Sequence, residues 1–158
     1  MVAILAGLLL AVPTSGAHFG LSAGGGLSHD LLGARLELRI DHFALHAAAG
    51  VPNLNTLVQD ERISASAAFG ARYFFGDRGD RWFLSGTWFF LNHHDALPVA
   101  TANPMKHTNA TTFVAGYRFK GDSFFIDAGA GAGLLFRSDQ GYRAQLIPDA
   151  TLALGWEI

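Results

Sequence analysis

Residues 124–136 read FFIDAGAGAGLLF, and this stretch decides the fold class. Apolar side chains occupy every even position from Phe124 to Phe136, while Asp127 and three glycines occupy odd positions between them. The side chains of a β-strand point alternately to the two faces of a sheet, so a period of two predicts a strand with one apolar face. A helix would instead repeat its apolar residues every three to four positions.

The same alternation recurs in seven further segments, so the chain is predicted to be all-β with eight strands. No charged residue falls on the apolar face of any of these segments. One continuous apolar surface is therefore expected on one side of a single sheet. Each predicted strand runs from the first to the last residue of its apolar face. The strands are residues 19–27, 32–40, 43–51, 63–75, 82–90, 113–119, 124–136 and 150–158.

Composition and charge narrow the class of protein. The chain has 158 residues, 50% of them hydrophobic, with 19 glycines and no cysteine, which excludes a disordered segment and a disulfide-stabilised scaffold. The formal net charge of −2 gives no electrostatic basis for binding nucleic acid. No apolar run is long enough for a spanning helix, so a membrane-spanning form would have to be a closed β-barrel.

An export signal is predicted at the N-terminus. Residues 2–12 form an apolar run that Pro13 ends, and small residues then lead to Ala17 and His18. This order is typical of a secretory signal peptide cleaved after Ala17, the alternatives being a first strand or an apolar tail. We therefore predict a signal peptide over residues 1–17 and one barrel domain over residues 18–158.

The predicted connections alternate in length along the chain. Asp41 and His42 form a two-residue hairpin between the second and third strands, and residues 76–81 and 120–123 are also short and rich in turn residues. Longer loops are predicted over residues 52–61, 92–111 and 137–148. Short turns at one end and long loops at the other are typical of bacterial outer-membrane barrels.

The two faces of the sheet can be assigned to the inside and outside of a barrel. A lipocalin-like barrel would enclose the apolar face around a ligand. The other face, however, is mainly small residues with isolated charges and very little lysine, which suits a narrow interior better than a solvated surface. Aromatic residues near both ends of the apolar face predict two membrane-interface girdles. These residues are Phe43, Phe75, Trp82, Trp88, Phe90, Phe119, Phe124 and Trp156.

Charged residues on the predicted inner face are expected to pair with one another. An unpaired buried ion costs on the order of several kcal/mol, and eight strands leave an interior just wide enough for side chains. We predict a salt-bridge network that closes the lumen, with Phe74, Phe83 and Phe125 as an apolar plug. A narrow ion path through the same charges is the alternative. The network comprises Arg35, Glu37, Arg39, Arg72, Arg118, Asp127 and Glu157.

The chain resembles the small outer-membrane β-barrel proteins, the group that includes the transmembrane domain of outer-membrane protein A. The resemblance rests on the signal, the eight alternating strands, the unequal connections and the final sequence Leu154-Gly155-Trp156-Glu157-Ile158. It implies an antiparallel, up-and-down transmembrane barrel in the Gram-negative outer membrane, surrounded by lipid and lipopolysaccharide and inserted by the barrel-assembly machinery. The family commonly ends on phenylalanine, where this chain has Ile158.

The fold of this family does not select one function. Its members serve as envelope-stabilising proteins, adhesins, host-defence factors or narrow pores, and a few modify lipid A. For this chain we predict a monomer with a structural or surface-interaction role carried by its long loops. The alternatives are a small porin-like channel, a lipid A-modifying enzyme and a soluble lipocalin-like binder.

Motifs for catalysis and metal binding are weak. Residues 20–24 fit a nucleophile elbow, but Ser22 is predicted to lie mid-strand and not at a strand-to-helix turn. His93, His94 and Asp95 could bind a metal together with His107, but their loop spacing is loose. A lipid A-modifying site would need His94, Asp95 and Ser138 to converge through loop folding. We predict no catalytic residues, no metal and no cofactor.

Overall fold

The chain folds into a closed barrel of eight antiparallel strands in a computed structural model that describes residues 16–26, 31–51, 66–76, 81–93, 106–137 and 143–158. Each strand pairs with the next along the chain, and the first pairs with the last. The predicted all-β class and the eight-stranded up-and-down barrel are confirmed. The strands are β1 (Ala17–Gly26), β2 (Leu31–Ile40), β3 (Phe43–Val51), β4 (Ser66–Phe75), β5 (Arg81–His93), β6 (Lys106–Lys120), β7 (Phe124–Arg137) and β8 (Arg143–Glu157).

The pairing register fixes the stagger of the barrel. We start at Trp156 on β8 and step from each residue to its direct partner on the next strand, once around the barrel. The steps return to β8 at Leu146, ten residues from the start. A stagger of this kind tilts the strands by roughly 40° from the barrel axis. Inward residues from distant strands therefore meet at one height even when they are not paired. The path passes Leu21, Leu36, Ala47, Phe69, Trp88, Thr111 and Leu134.

Tight turns connect the strands at one end of the barrel. Asp41 and His42 join β2 to β3, and Asp41 adopts a φ of 53°, a conformation that aspartate tolerates better than most residues. Gly76 follows β4 with a φ of 93°, which glycine adopts without steric cost. The Gly121 N–H donates to the Phe124 carbonyl oxygen at 2.8 Å and closes the β6–β7 turn.

Several predicted segments lie outside the described residues. They include residues 1–15 of the predicted signal peptide, whereas its last residue, Ala17, begins β1. The predicted start of the fourth strand at Ile63 also lies outside them. The connections at the loop end fall in the remaining gaps, residues 27–30, 52–65, 94–105 and 138–142.

The predicted loop over residues 92–111 is too long. β5 continues to His93 and β6 begins at Lys106, and these two residues are paired. The apolar alternation ends earlier, but backbone hydrogen bonds between neighbouring strands do not require apolar side chains. The polar residues at the start of β6 therefore belong to the strand and not to a loop.

The predicted loop over residues 137–148 is wrong for a similar reason. β8 begins at Arg143, opposite Arg137 of β7, and runs through Pro148. Proline cannot donate a backbone hydrogen bond, so it indicates a strand boundary when read from sequence. Here Pro148 is exposed and lies opposite Ala132 within the continuous strand.

The apolar faces of all eight strands point outward. Large apolar side chains such as Leu36, Leu152 and Trp82 are exposed by 64–66%. Every charged strand residue whose exposure the structure describes points inward. The described residues contain no helix that has the length and hydropathy to cross a membrane.

Apolar side chains also fill parts of the interior. Phe89 packs with three buried alanines in the loop-end half of the barrel, and Leu135 and Ile147 cover this cluster. Phe74 and Phe83 pack with Ala44 and Val114 nearer the turn end. Most charged residues of the described interior lie beside this second apolar cluster, at the turn end, whereas the buried Asp149 lies nearer the loop end, opposite Gly131.

Candidate functional site in the barrel interior

Asp127 on β7 is the centre of a cluster of buried charges. It is 0% exposed and accepts hydrogen bonds from Arg35 Nη2 at 2.7 Å and Arg72 Nη1 at 2.5 Å, both at Oδ2. Arg118 donates Nε to Oδ1 at 2.7 Å and Nη2 to Oδ2 at 2.9 Å. Arg118 is the directly paired residue on β6, whereas Arg35 and Arg72 reach Asp127 from β2 and β4 across the interior.

Glu37 on β2 contacts the same three arginines. Arg118 Nη1 donates to Glu37 Oε1 at 2.6 Å. Glu37 Oε2 lies 3.5 Å from Arg72 Nη1 and 3.7 Å from Arg35 Nη2. Two carboxylates thus share three guanidinium groups, and such charge-assisted hydrogen bonds are the strong ones in a desolvated interior.

Glu157 on β8 extends the cluster toward the turn end. Its Oε1 accepts from Arg39 Nη2 at 2.5 Å and from Lys120 Nζ at 2.9 Å. Glu157 Oε2 lies 3.8 Å from Arg118 Nη1, which links this group to the central one. His18 Nδ1 is 3.3 Å from Glu157 Oε1, on a side chain that is 44% exposed.

The structure thus brings together all seven residues of the predicted network. The ionic cluster is defined as these seven residues plus Lys120: Arg35, Glu37, Arg39, Arg72, Arg118, Lys120, Asp127 and Glu157. Sequence reasoning missed Lys120 and His18 because it placed them just beyond the ends of their strands. The sequence carries a signal for both, because residues two positions apart on a strand point to the same face. Lys120 lies two positions from Arg118, and His18 lies two positions from the inward Gly20.

Phenylalanine rings support the arginines from the turn-end side of the interior. The Arg72 guanidinium lies 3.9 Å from the centroid of the Phe83 ring, and that of Arg118 lies 3.9 Å from the centroid of Phe125. A cation over an aromatic face is attracted by the ring quadrupole, more strongly where water is excluded. Phe74, 0% exposed, adds a third ring 4.7 Å from Arg118.

Glycines make the space for two of these rings. Gly116 is paired with Phe83 and Gly155 with Phe125. A Cβ atom at Gly116 would lie 2.3 Å from Phe83 Cζ, and one at Gly155 would lie 2.3 Å from Phe125 Cζ. The Arg72 and Arg118 guanidinium groups therefore each lie over a phenylalanine ring, and each ring packs over a glycine on the neighbouring strand. Such aromatic–glycine pairs favour strand association.

We expect Gly155→Ala to lower the free energy of unfolding by about 1–3 kcal/mol, the usual range for overpacking a buried site. The added methyl group would collide with Phe125 and displace the ring beneath Arg118. Gly86→Ala is the matched control, because its Cβ would meet only the Phe113 ring, at 3.4 Å. Urea titrations of both variants in detergent measure the difference, and equal losses would contradict the proposed ring packing.

The middle of the interior carries polar groups between the two apolar clusters. His46 Nε2 and Thr87 Oγ1 lie 3.2 Å apart, both on buried residues. Ser85 and Thr112 are 1% exposed and point inward from β5 and β6. Buried side chains thus occupy the interior from the ionic cluster to Phe89.

All eight predicted interface aromatics point outward. Their exposed fractions range from 38% for Phe90 to 64% for Trp82. Two tyrosines absent from the prediction join them: Tyr73 contacts Phe43 and Phe75, with ring centroids 5.2 and 4.9 Å apart. Tyr117 contacts Trp82 at 5.1 Å and Phe119 at 4.8 Å. Both lie on the apolar faces predicted from the alternation, although they were not included among the interface aromatics. The eight are Phe43, Phe75, Trp82, Trp88, Phe90, Phe119, Phe124 and Trp156.

The weaker sequence motifs do not form a site in the described part of the chain. No group of three or more His, Asp or Glu side chains there is placed to hold a metal ion. His94, Asp95 and Ser138 lie outside the described residues. Ser22 is buried in the middle of β1, without the strand-to-helix turn that a nucleophile elbow requires.

No protein-family model, curated protein or solved structure matches this chain. The activity of the barrel must therefore be inferred from its own residues. Its two distinctive properties are an apolar outer surface and a charged, closely packed interior.

Proposed function

We propose that the chain is an integral outer-membrane β-barrel whose interior is closed by the ionic cluster and whose role is structural or surface-interacting. The observation that carries this proposal is the inverted distribution of polarity. Among the described residues, twenty-four large hydrophobic side chains are exposed, while Arg35, Arg72, Arg118 and Asp127 are buried at 0–1% exposure. A protein surrounded by water would be expected to have the opposite arrangement.

A lipid environment accounts for the outer surface. Contiguous apolar patches on water-soluble monomers rarely exceed a few hundred Å², whereas this apolar surface includes residues of all eight strands. A closed barrel satisfies its backbone hydrogen bonds internally, as a bilayer requires. Its strands have 9–15 residues, and about 9–11 tilted residues are enough to span the hydrocarbon core.

The interior favours a closed barrel over a pore or a ligand carrier. A lipocalin-like binder needs an open apolar cavity, but here ion pairs, hydroxyl groups and packed phenylalanine clusters fill the interior. A channel needs a continuous path, and the described interior instead holds ion pairs backed by phenylalanine rings.

The loops are the proposed sites of interaction with other molecules. Binding residues are concentrated on connections held by a rigid scaffold, and residues 52–65 and 94–105 are the longest gaps between strands. The same proposal includes export by the predicted signal of residues 1–17, insertion by the barrel-assembly machinery, and a monomer surrounded by lipid and lipopolysaccharide.

We expect the chain without residues 1–17 to fold only in the presence of detergent or lipid. Folded barrels of this kind resist unfolding by detergent at room temperature, so the unheated sample should migrate differently on a gel from the boiled sample. Circular dichroism should show a β spectrum in detergent micelles. A β-rich protein that stays monodisperse in plain buffer would contradict a membrane location.

We also expect no steady conductance when the folded protein is incorporated into a planar bilayer. The ionic cluster fills the interior at the turn end, and Phe89 packs against alanines nearer the loop end. A steady conductance that changes on replacement of Arg72 would contradict the closed interior and support the porin-like alternative. Addition of the heat-unfolded protein provides the background control.

A further inference from the structure

The ionic cluster holds more positive than negative charge. Among the described residues, four arginines contact three carboxylates, those of Glu37, Asp127 and Glu157, and Glu157 also contacts Lys120. Asp149, the other buried acid among the described residues, lies farther toward the loop end, opposite Gly131. Surplus buried charge is unfavourable unless it is paired. The cluster therefore favours an additional anion.

The excess of positive charge is greatest where Arg35 and Arg72 both contact Asp127. Both donate to the same oxygen, Asp127 Oδ2, at 2.7 and 2.5 Å, so their guanidinium groups lie side by side. Each uses only one nitrogen for this bond. Nε and Nη1 of Arg35 and Nε and Nη2 of Arg72 are buried, with no hydrogen-bond partner among the described residues.

Ser85, the residue paired with Arg72, is a third buried donor. This pairing across the β4–β5 ladder makes the two side chains neighbours on the inner face. Its side chain is 1% exposed, and Oγ has no hydrogen-bond partner among the described residues. Two guanidinium groups that share Asp127 Oδ2, and a hydroxyl on the residue paired with one of them, thus have unused donors on the buried inner face.

We propose that a small monovalent anion, chloride in a physiological setting, binds inside the barrel between Arg35, Arg72 and Ser85. Such an ion accepts the unused N–H and O–H groups and neutralises part of the surplus charge. The proposed ion is small because the arginines are fully buried in an interior only wide enough for side chains, which excludes larger anions. The inference depends on the barrel interior alone and not on a membrane location.

An ordered water molecule is the competing occupant of this position. Water could accept from the same donors, but it would leave the charge surplus unchanged. The two occupants therefore differ in one measurable respect, because a bound anion adds a dependence of stability on chloride that is specific to this site, beyond the general effect of changing the salt, which the variants share.

In the first experiment, the full barrel is crystallised with bromide as the only halide, in place of chloride. We expect an anomalous-scattering peak between the Arg35 and Arg72 guanidinium groups and Ser85 Oγ. A bromide-grown crystal with no interior peak, and density of a water molecule there, would overturn the proposal.

The second experiment compares thermal unfolding in sodium chloride and sodium gluconate at equal ionic strength. We expect the midpoint to be higher in chloride by roughly 3–5 °C. Ser85→Asp supplies an internal carboxylate beside Arg72, so the midpoints of this variant in the two salts should differ only by the general effect of the salt. Thr112→Asp is the matched control, because it adds a carboxylate at an equally buried position paired with Thr87 and Gly133 and not with an arginine.

Thr112→Asp should keep the dependence on chloride. If the wild-type midpoint is the same in both salts, no anion is bound. If Ser85→Asp remains as sensitive to chloride as the wild type, the anion does not lie beside Ser85. Should Ser85→Asp fail to fold, the wild-type salt comparison and the bromide peak still decide the question.

Discussion

Asp127→Asn is expected to lower the free energy of unfolding by about 3–5 kcal/mol, the range for breaking a buried ion pair by removing one partner. Asparagine keeps the shape of the side chain but removes its charge. Asp127 accepts four hydrogen bonds from three arginines, and each of these arginines is 0–1% exposed. Without the carboxylate, only Glu37 would contact all three.

Urea titration of the folded protein in detergent measures this loss, with the difference between heated and unheated gel mobility as the readout. Asp122→Asn is the control, because Asp122 lies exposed in the β6–β7 turn and surface substitutions usually change stability by less than about 0.5 kcal/mol. Losses of similar size in the two variants would mean that the arginines do not depend on Asp127.

A double-mutant cycle would separate the Arg118–Asp127 pair from the rest of the cluster. The two residues are directly paired on β6 and β7 and share two hydrogen bonds. Residues in one network show coupling energies of about 0.5–3 kcal/mol. Coupling near zero would indicate that Asp127 acts mainly through Arg35 and Arg72.

The composition of the ionic cluster follows from parity together with the position of each charge along its strand. Arg35, Arg72 and Asp127 alternate with apolar neighbours, and alternation decides which face a strand side chain joins. Closure of the sheet then brings the inward charges near the turn end into one narrow space, whereas the inward Asp149, farther toward the loop end, lies outside the cluster. The outward aromatic residues are predictable for the same reason.

The pairing within the cluster is predictable only where a turn sets the register. Arg118 and Asp127 are nine positions apart and face each other across a short turn, so their contact follows from the local sequence. Arg35 and Asp127 are 92 positions apart on β2 and β7. Their contact depends on the ten-residue stagger of the closed barrel, which no local pattern encodes.

Strand ends were the least predictable feature for a related physical reason. Apolar alternation reports which side chains meet an apolar environment, whereas a strand persists for as long as its backbone is paired. At Lys106 and Arg143 the pairing continues beyond the apolar pattern. The sequence therefore predicts the apolar band more closely than the full length of the strands.

Leu152→Arg is expected to lower the free energy of unfolding from lipid vesicles by about 2–4 kcal/mol, the measured range for an arginine near the middle of a bilayer. Leu152 is 66% exposed on the outer face and lies near the middle of β8. In the proposed location its side chain contacts lipid chains, so a guanidinium there would lose its hydration without gaining a partner.

Leu146→Arg is the matched control for that substitution. Leu146 lies on the same face of the same strand, is 73% exposed and is six residues nearer the loop end. Six tilted residues correspond to about 15 Å along the barrel axis, which would place Leu146 near the lipid–water interface. There the cost of arginine should fall to about 0–1 kcal/mol.

The difference between the two leucine variants tests the membrane location independently of detergent behaviour. If the outer face of β8 lay in water, an exposed leucine could be replaced by arginine at either position for less than about 0.5 kcal/mol. A depth-dependent loss, large at Leu152 and small at Leu146, is specific to an apolar layer of limited thickness around the barrel. Equal, small losses would instead mean that water surrounds this face and that the proposed location is wrong.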